Sequence, residues 1–201
     1  MPASRDRVDP RITRSRRAVL DATLAELAER GYGALTIDGV AIRAGVARST
    51  IYRLWHDRVA LVADAIEALN RQPPPQPAGD EAPRARIASL VRHLSDAMRS
   101  SPVAACLPAL IDGAERDPAL RRLHHHYNDR RRAALVTAIG AAVEAGDVRS
   151  DLDPELAAVA VAGAIVYRRL MTARPLHDDE VEPLLDMILG RRGSDPTEID
   201  R

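Results

Sequence analysis

Apolar residues recur along this chain at intervals of three and four, the spacing of one face of an α-helix, and no stretch shows the strict alternation of a strand. Val19, Leu20, Thr23, Leu24, Leu27 and Ala28 form a first stripe, with Gly31 following as a stop. Thr36 is placed to cap a short helix from about Ile37 to Ala44 that turns Val40 and Ala41 inward. Gly45 breaks it, a second short helix runs from about Arg48 to Trp55, and Asp57 caps a third from Arg58 to about Asn70. The apolar face of that third helix is Leu61, Val62, Ala65, Ile66 and Leu69. Later stripes predict helices near 84–100, 103–115, 118–145, 154–173 and 179–190. Asp117-Pro118 and Asp153-Pro154 each pair a capping side chain with a first-turn proline. The helix at 118–145, with Leu120, Leu123, Tyr127, Ala134, Leu135, Ala138, Ile139 and Ala142 on one face, would run ~40 Å at 1.5 Å per residue. The pattern specifies an all-α protein.

The segment "RQPPPQPAGDEAP", residues 71–83, is too rich in proline for a helix and predicts a stiff linker. It divides the expected organisation into a flexible arm over 1–13, a small helical domain over 14–70, the linker, a larger helical domain over 84–190 and a polar tail over 191–201. Hydrophobic residues make up 46% of the 201 but aromatics only 2%, so the core must be built from Ala, Leu, Val and Ile. Net charge is zero, which alone argues against a polyanion binder, but its distribution reverses that picture. Residues 1–58 hold 11 Arg against 7 acidic residues, while 59–201 hold 18 against 22. A basic front and an acidic rear suit a protein whose N-terminal part alone meets phosphate. The single cysteine, Cys106, allows no disulfide framework and no cysteine-based zinc site. With no apolar leader at the N-terminus and no 18-residue apolar run, the expectation is a soluble, cytoplasmic protein without membrane contact.

The stretch "AGVARSTIYRLWHDR", from Ala44 to Arg58, sets Tyr52 and the only tryptophan, Trp55, among arginines and hydroxyls. Read as two helices crossing at Gly45, residues 37–56 have the layout of a helix-turn-helix, whose second helix enters the DNA major groove. Its outward residues are Arg48, Ser49, Thr50, Tyr52 and Arg53; Ile51, Leu54 and Trp55 turn inward. Arginine can fork onto guanine, and hydroxyls and arginine can hold phosphate.

Over residues 14–70 the sequence resembles the N-terminal DNA-binding domain of the TetR family of transcriptional regulators, through Gly31-Tyr32, Thr36, "VAIRAGV", "STIYRLW" and Arg58 followed by Leu61. The resemblance implies base reading by Arg48, Ser49 and Tyr52, and phosphate contacts from Thr36, Thr50, Tyr52, Arg53 and Arg58. Ala47 stands where the family often has serine, Ser49 where glycine is common, and Arg58 where lysine is usual. The C-terminal half is similar to the family's ligand-binding and dimerisation domains in "LPALIDGAERDPALRRL", "AGDVRSDLDPELAA" and "RPLHDDEVEPLLDMILG". That implies a homodimer paired through the last two helices, here by Leu156, Val159, Ala160, Ala164, Val181, Leu184, Leu185 and Ile188. It further implies a small-molecule effector that releases a repressor from double-stranded, palindromic operator DNA.

Met98, Cys106, Leu107, Leu110, Ile111, His124, Tyr127 and Tyr167 are the candidates to line an effector cavity among the middle helices, with ordinary core packing as the alternative for each. The run His124-His125-His126 invites a metal, but consecutive helical residues point about 100° apart and cannot converge on one ion. Cys106 has no second cysteine to resolve an oxidised thiol. No Gly-rich phosphate loop, no Ser-His-Asp context and no paired carboxylates in an identifiable cleft are found, so no cofactor and no enzyme activity are expected. Two alternatives stay open: an effector-independent dimeric DNA-binding protein, and a helical enzyme or interaction scaffold.

Overall fold

α1 spans Pro10–Ala34 and is broken at Gly31, whose φ of 78° and ψ of 167° leave the helical region. The computed structural model describes residues 10–69, 81–100 and 102–190; of the expected arm over 1–13, residues 10–13 belong to α1 and the rest lies outside the described residues, as do residues 71–80 of the expected linker and the tail over 191–201. Within the described residues α2 (Ile37–Ala44), α3 (Arg48–Leu54) and α4 (Arg58–Leu69) follow, then α5 (Pro83–Ser100), α6 (Pro102–Arg116), α7 (Pro118–Glu144), α8 (Pro154–Met171), a 3-10 turn at Asp178–Glu180 and α9 (Val181–Leu189). The anticipated punctuation is in place. Asp117 Oδ1 accepts from the N–H groups of Ala119 at 2.9 Å and Leu120 at 3.3 Å, and Asp153 Oδ1 from those of Glu155 at 2.8 Å and Leu156 at 3.1 Å.

The described residues form two compact units that are not consecutive in sequence: 10–69 with 105–124, and 81–104 with 125–190. A single cut at the proline-rich segment therefore does not describe the packing, because α6 and the start of α7 return to the N-terminal helices.

In the first unit α1 lies against α2 and α4. Val19, Leu20, Leu24 and Leu27 are buried with Val40, Ala41, Leu61, Val62, Ala65 and Ile66; Ala28, the last member of the expected stripe, is exposed. Two polar groups share this core. Thr23 donates to the Val19 carbonyl at 2.7 Å, and buried Glu26 accepts from Arg43 Nε at 2.8 Å, pairing α1 with α2. In the second unit α5 packs on α8 and α9 through Ile87, Ala88, Val91 and Met98, against the buried Val161, Ile165, Val181, Leu185 and Leu189. Leu135, Ala138, Ile139 and Ala142 give α7 the buried face that its periodicity predicts. No helix among the described residues is long and apolar enough to cross a membrane.

Candidate nucleic-acid interface

Gly45 makes the sharp corner between α2 and α3. Its backbone is left-handed, φ 65° and ψ 35°, a conformation that costs a residue with a Cβ about 1 kcal/mol and glycine nothing. Before it, Thr36 caps α2 by accepting from the Gly39 N–H at 3.0 Å. After it, α3 begins at Ala47, which offers no side-chain cap.

α3 is seven residues long and Ile51 is its one fully buried side chain, so a short helix with little intrinsic stability is held by tertiary anchors. Trp55 supplies the second anchor: it is buried, and its indole N–H donates to Asp64 Oδ2 at 2.9 Å. Asp64 is in turn gripped by Arg16 of α1 at 2.6 Å. Three helices thus meet on one carboxylate beneath α3. The other ring faces away, as the sequence predicts, with Tyr52 51% exposed. Arg48, Ser49 and Arg53 are exposed and Thr50 is half-buried. Arg48 meets Asp38 Oδ1 at 2.6 Å in a solvent-exposed pair, an interaction worth ~0–1 kcal/mol and readily exchanged.

Arg58, expected to contact phosphate, is held inside the protomer at the end of α1. Its guanidinium stacks 4.1 Å from the centroid of the Tyr32 ring and donates to the carbonyls of Tyr32 at 3.3 Å and Leu35 at 3.2 Å. The physical reason is local: the break at Gly31 leaves the end of α1 with carbonyls and an aromatic face beside the start of α4, and arginine satisfies both at once. The first turn of α4 is capped by Asp57, which accepts from the Ala60 N–H at 2.7 Å. Tyr32 also donates its hydroxyl to Asp117 Oδ2 at 2.7 Å, 85 residues away. Burial and that hydrogen bond push the phenol up to about 12, while the same bond from Tyr32 is the main cause holding the Asp117 carboxyl below its ordinary value. Arg16, Asp64, Glu26 and Arg43 also build this site, and Asp117, legible in the sequence only as a cap, joins them; their partners lie 9 or more residues away, so local spacing does not mark them.

Comparison with known proteins decides what this arrangement is. The family model for bacterial regulatory proteins of the tetR family matches residues 19–65, and that for the tetracyclin repressor-like C-terminal domain matches residues 79–188. This chain belongs to the TetR family. It is a helix-turn-helix DNA-binding regulator of transcription. It is 28% identical over 184 residues to the HTH-type transcriptional regulator YdeS of Bacillus subtilis, covering 88% of each chain. It is likewise 28% identical to the DNA-binding transcriptional repressor TetR of Mycobacteroides abscessus, covering 86% of this chain and 90% of that one. A TetR-family regulator from Rhodococcus sp. has the same fold, with a TM-score of 0.73, 22% identity and coverage of 87% of this chain and 98% of that one.

The residues expected to serve the regulator's C-terminal half are sorted by the structure. Among the effector candidates, Met98, Cys106 and Leu110 are buried and Leu107 and His124 half-buried. Ile111 and Tyr167 are 37% and 62% exposed. The Tyr127 hydroxyl already accepts from Arg131 at 2.7 Å. Cys106 donates to the Leu24 carbonyl at 3.4 Å, and burial pushes its thiol up to about 11, far from a reactive thiolate. An open, polar hollow of about 500 Å³ is walled by Arg168, Ala173, Arg174, Pro175, His177, Asp179 and Glu180, none of them an effector candidate.

The dimer candidates separate in the same way. Val181, Leu184 and Leu185 are buried inside the protomer, where α9 turns its apolar face onto α5 and α8. Ala164 and Ile188 are half-buried. Leu156, Val159 and Ala160 are exposed, and they continue along α8 into Gly163, Tyr167 and Met171.

Proposed function

We propose that this regulator is a homodimeric repressor that reads a palindromic operator through α3 of each subunit and leaves it when a small molecule binds the 84–190 segment. The observation that supports it is the division of labour on α3: Ile51 and Trp55 fix the helix from beneath while Arg48, Ser49, Tyr52 and Arg53 face water. In this reading Arg48, Ser49 and Tyr52 contact bases, and Thr36, Thr50 and Arg53 hold phosphates. Arg58 acts by positioning α4. Effector binding shifts the population toward a state in which α4 has swung and the two reading helices no longer match the operator spacing. A coupling of ~1–3 kcal/mol would weaken DNA binding about 5–150-fold.

Anisotropy of a labelled duplex from upstream of the protein's own gene, titrated across a salt series beside a scrambled duplex, tests the operator reading. A preference of at least ~10³-fold for the upstream duplex supports it. Equal weak binding to both, followed by failure to enrich any genomic fragment, sinks it.

For the dimer, the exposed apolar stripe of α8 is the proposed contact: Leu156 at 68% exposure lies about three turns before Tyr167 at 62%, which lies about one turn before Met171 at 70%, with Ala160 and Gly163 between allowing close approach. A Cβ added at Gly163 meets nothing within 4 Å in the protomer, and the position is exposed. Gly163→Arg is therefore expected to leave the helical circular dichroism intact while sedimentation shifts to monomer. Operator affinity should fall by about 10²-fold or more as the two heads lose their linkage. A variant that remains dimeric would place the interface elsewhere.

A further inference from the structure

Tyr32 is only 3% exposed, and it joins four helices of the first unit. It follows the break in α1; its ring carries the Arg58 guanidinium of α4; its hydroxyl reaches Asp117 at the head of α7. Its Cβ lies so near α6 that a Cβ on Gly113 would stand 2.8 Å from it. The two oxygens of Asp117 have separate tasks: Oδ1 caps α7 and Oδ2 receives the phenol. From Arg58 the chain of contacts continues along α4 to Asp64, and from Asp64 to Trp55 at the end of the recognition helix. α7 itself belongs to both units, 118–124 to the first and 125–144 to the second.

We infer that Tyr32 and Asp117 are positioning residues for operator binding, a latch through which the first turn of α7 sets the stance of Arg58, α4 and the recognition helix. The geometry makes the latch sensitive. The hydroxyl–carboxylate contact is 2.7 Å, and a displacement of about 1 Å takes it beyond hydrogen-bond reach. Any event that shifts α7 is then delivered to the reading head, with no contact to DNA at the point of control. The inference rests on the DNA-binding reading above.

Conservative variants test it. Tyr32→Phe keeps the ring and the stacked guanidinium and removes only the hydroxyl. Asp117→Asn keeps an N-cap and removes the charge. The probe is the duplex that the wild type enriches from a random-sequence library, with a scrambled duplex as control, at a temperature below the melting of every variant. Each single variant is expected to weaken binding to the enriched duplex by about five-fold or more, leave the scrambled duplex unchanged, and lose no more in combination than the weaker single binder. Lower melting temperatures with an unchanged ratio between the two duplexes would make the cluster a packing feature and overturn the inference, as would losses that simply add. Failure of the wild type to enrich any duplex would overturn the operator reading itself.

Discussion

Arg48→Ala combined with Tyr52→Ala is expected to remove sequence-specific binding while leaving the fold intact. Both side chains are exposed, and neither shares in the core beneath α3, so their loss opens no cavity. Base contacts of this kind are each worth ~1–3 kcal/mol, so the double variant should lose roughly 30-fold to 10⁴-fold at each half-site and, with both half-sites affected, approach the affinity for scrambled DNA. Arg48 has to leave Asp38 to read a base, but an exposed pair costs ~0–1 kcal/mol to part and does not decide the outcome. Anisotropy with both duplexes, alongside a thermal melt, measures this. Unchanged discrimination in a variant that melts like the wild type would show that α3 does not read the operator.

The second large effect is on stability, at Gly113. This glycine of α6 is buried where a Cβ would meet Leu120 Cδ2 at 2.6 Å and Tyr32 Cβ and Cγ at 2.8 Å. Leu120 can rotate its terminal methyl away. Tyr32 cannot give way so easily, because Cβ is tied to the backbone and the ring is fixed by Arg58 and Asp117. Gly113→Ala gains about 1 kcal/mol of helix propensity, whereas overpacking costs ~1–3 kcal/mol and sometimes more. Gly113→Val adds further bulk without that propensity gain. The melting temperature should fall by several degrees for alanine, at ~2–4 °C per kcal/mol for a chain of this size, and further for valine. Calorimetry or circular dichroism at 222 nm reads the shift. A melting temperature that rises in the alanine variant would mean that α6 moves aside freely and that the contact with Tyr32 is loose.

These two predictions differ in how far the sequence alone could have led to them. Arg48 and Tyr52 were legible because the code is local: a period of 3.6 assigns each residue of α3 to a face, and Ile51 and Trp55 mark the inner one. Helix ends were legible for a similar reason. Thr36, Asp57, Asp117 and Asp153 cap their helices within three residues of themselves, and Gly45 takes the left-handed conformation its position between two helices called for. Gly113 carried no such mark, because what crowds it is chiefly a tyrosine from another part of the chain.

Periodicity by itself therefore determined the all-helical class, the turn at Gly45 and the outward face of the recognition helix, and tertiary packing determined which neighbour each face would meet. α8 shows why. Ala157, Ala158, Val161 and Ile165 are buried in the protomer, yet Leu156, Val159, Ala160 and Met171 on its exposed face are also apolar. A helix apolar all round has no polarity with which to announce its inner side. The burial of Val181 and Leu185 and the exposure of Tyr167 were settled only when α5 came to lie against α8 and α9. Arg58 is the same lesson in polar form: its charge suits a phosphate, and only the folded chain brings the carbonyls and ring at the end of α1 within its reach.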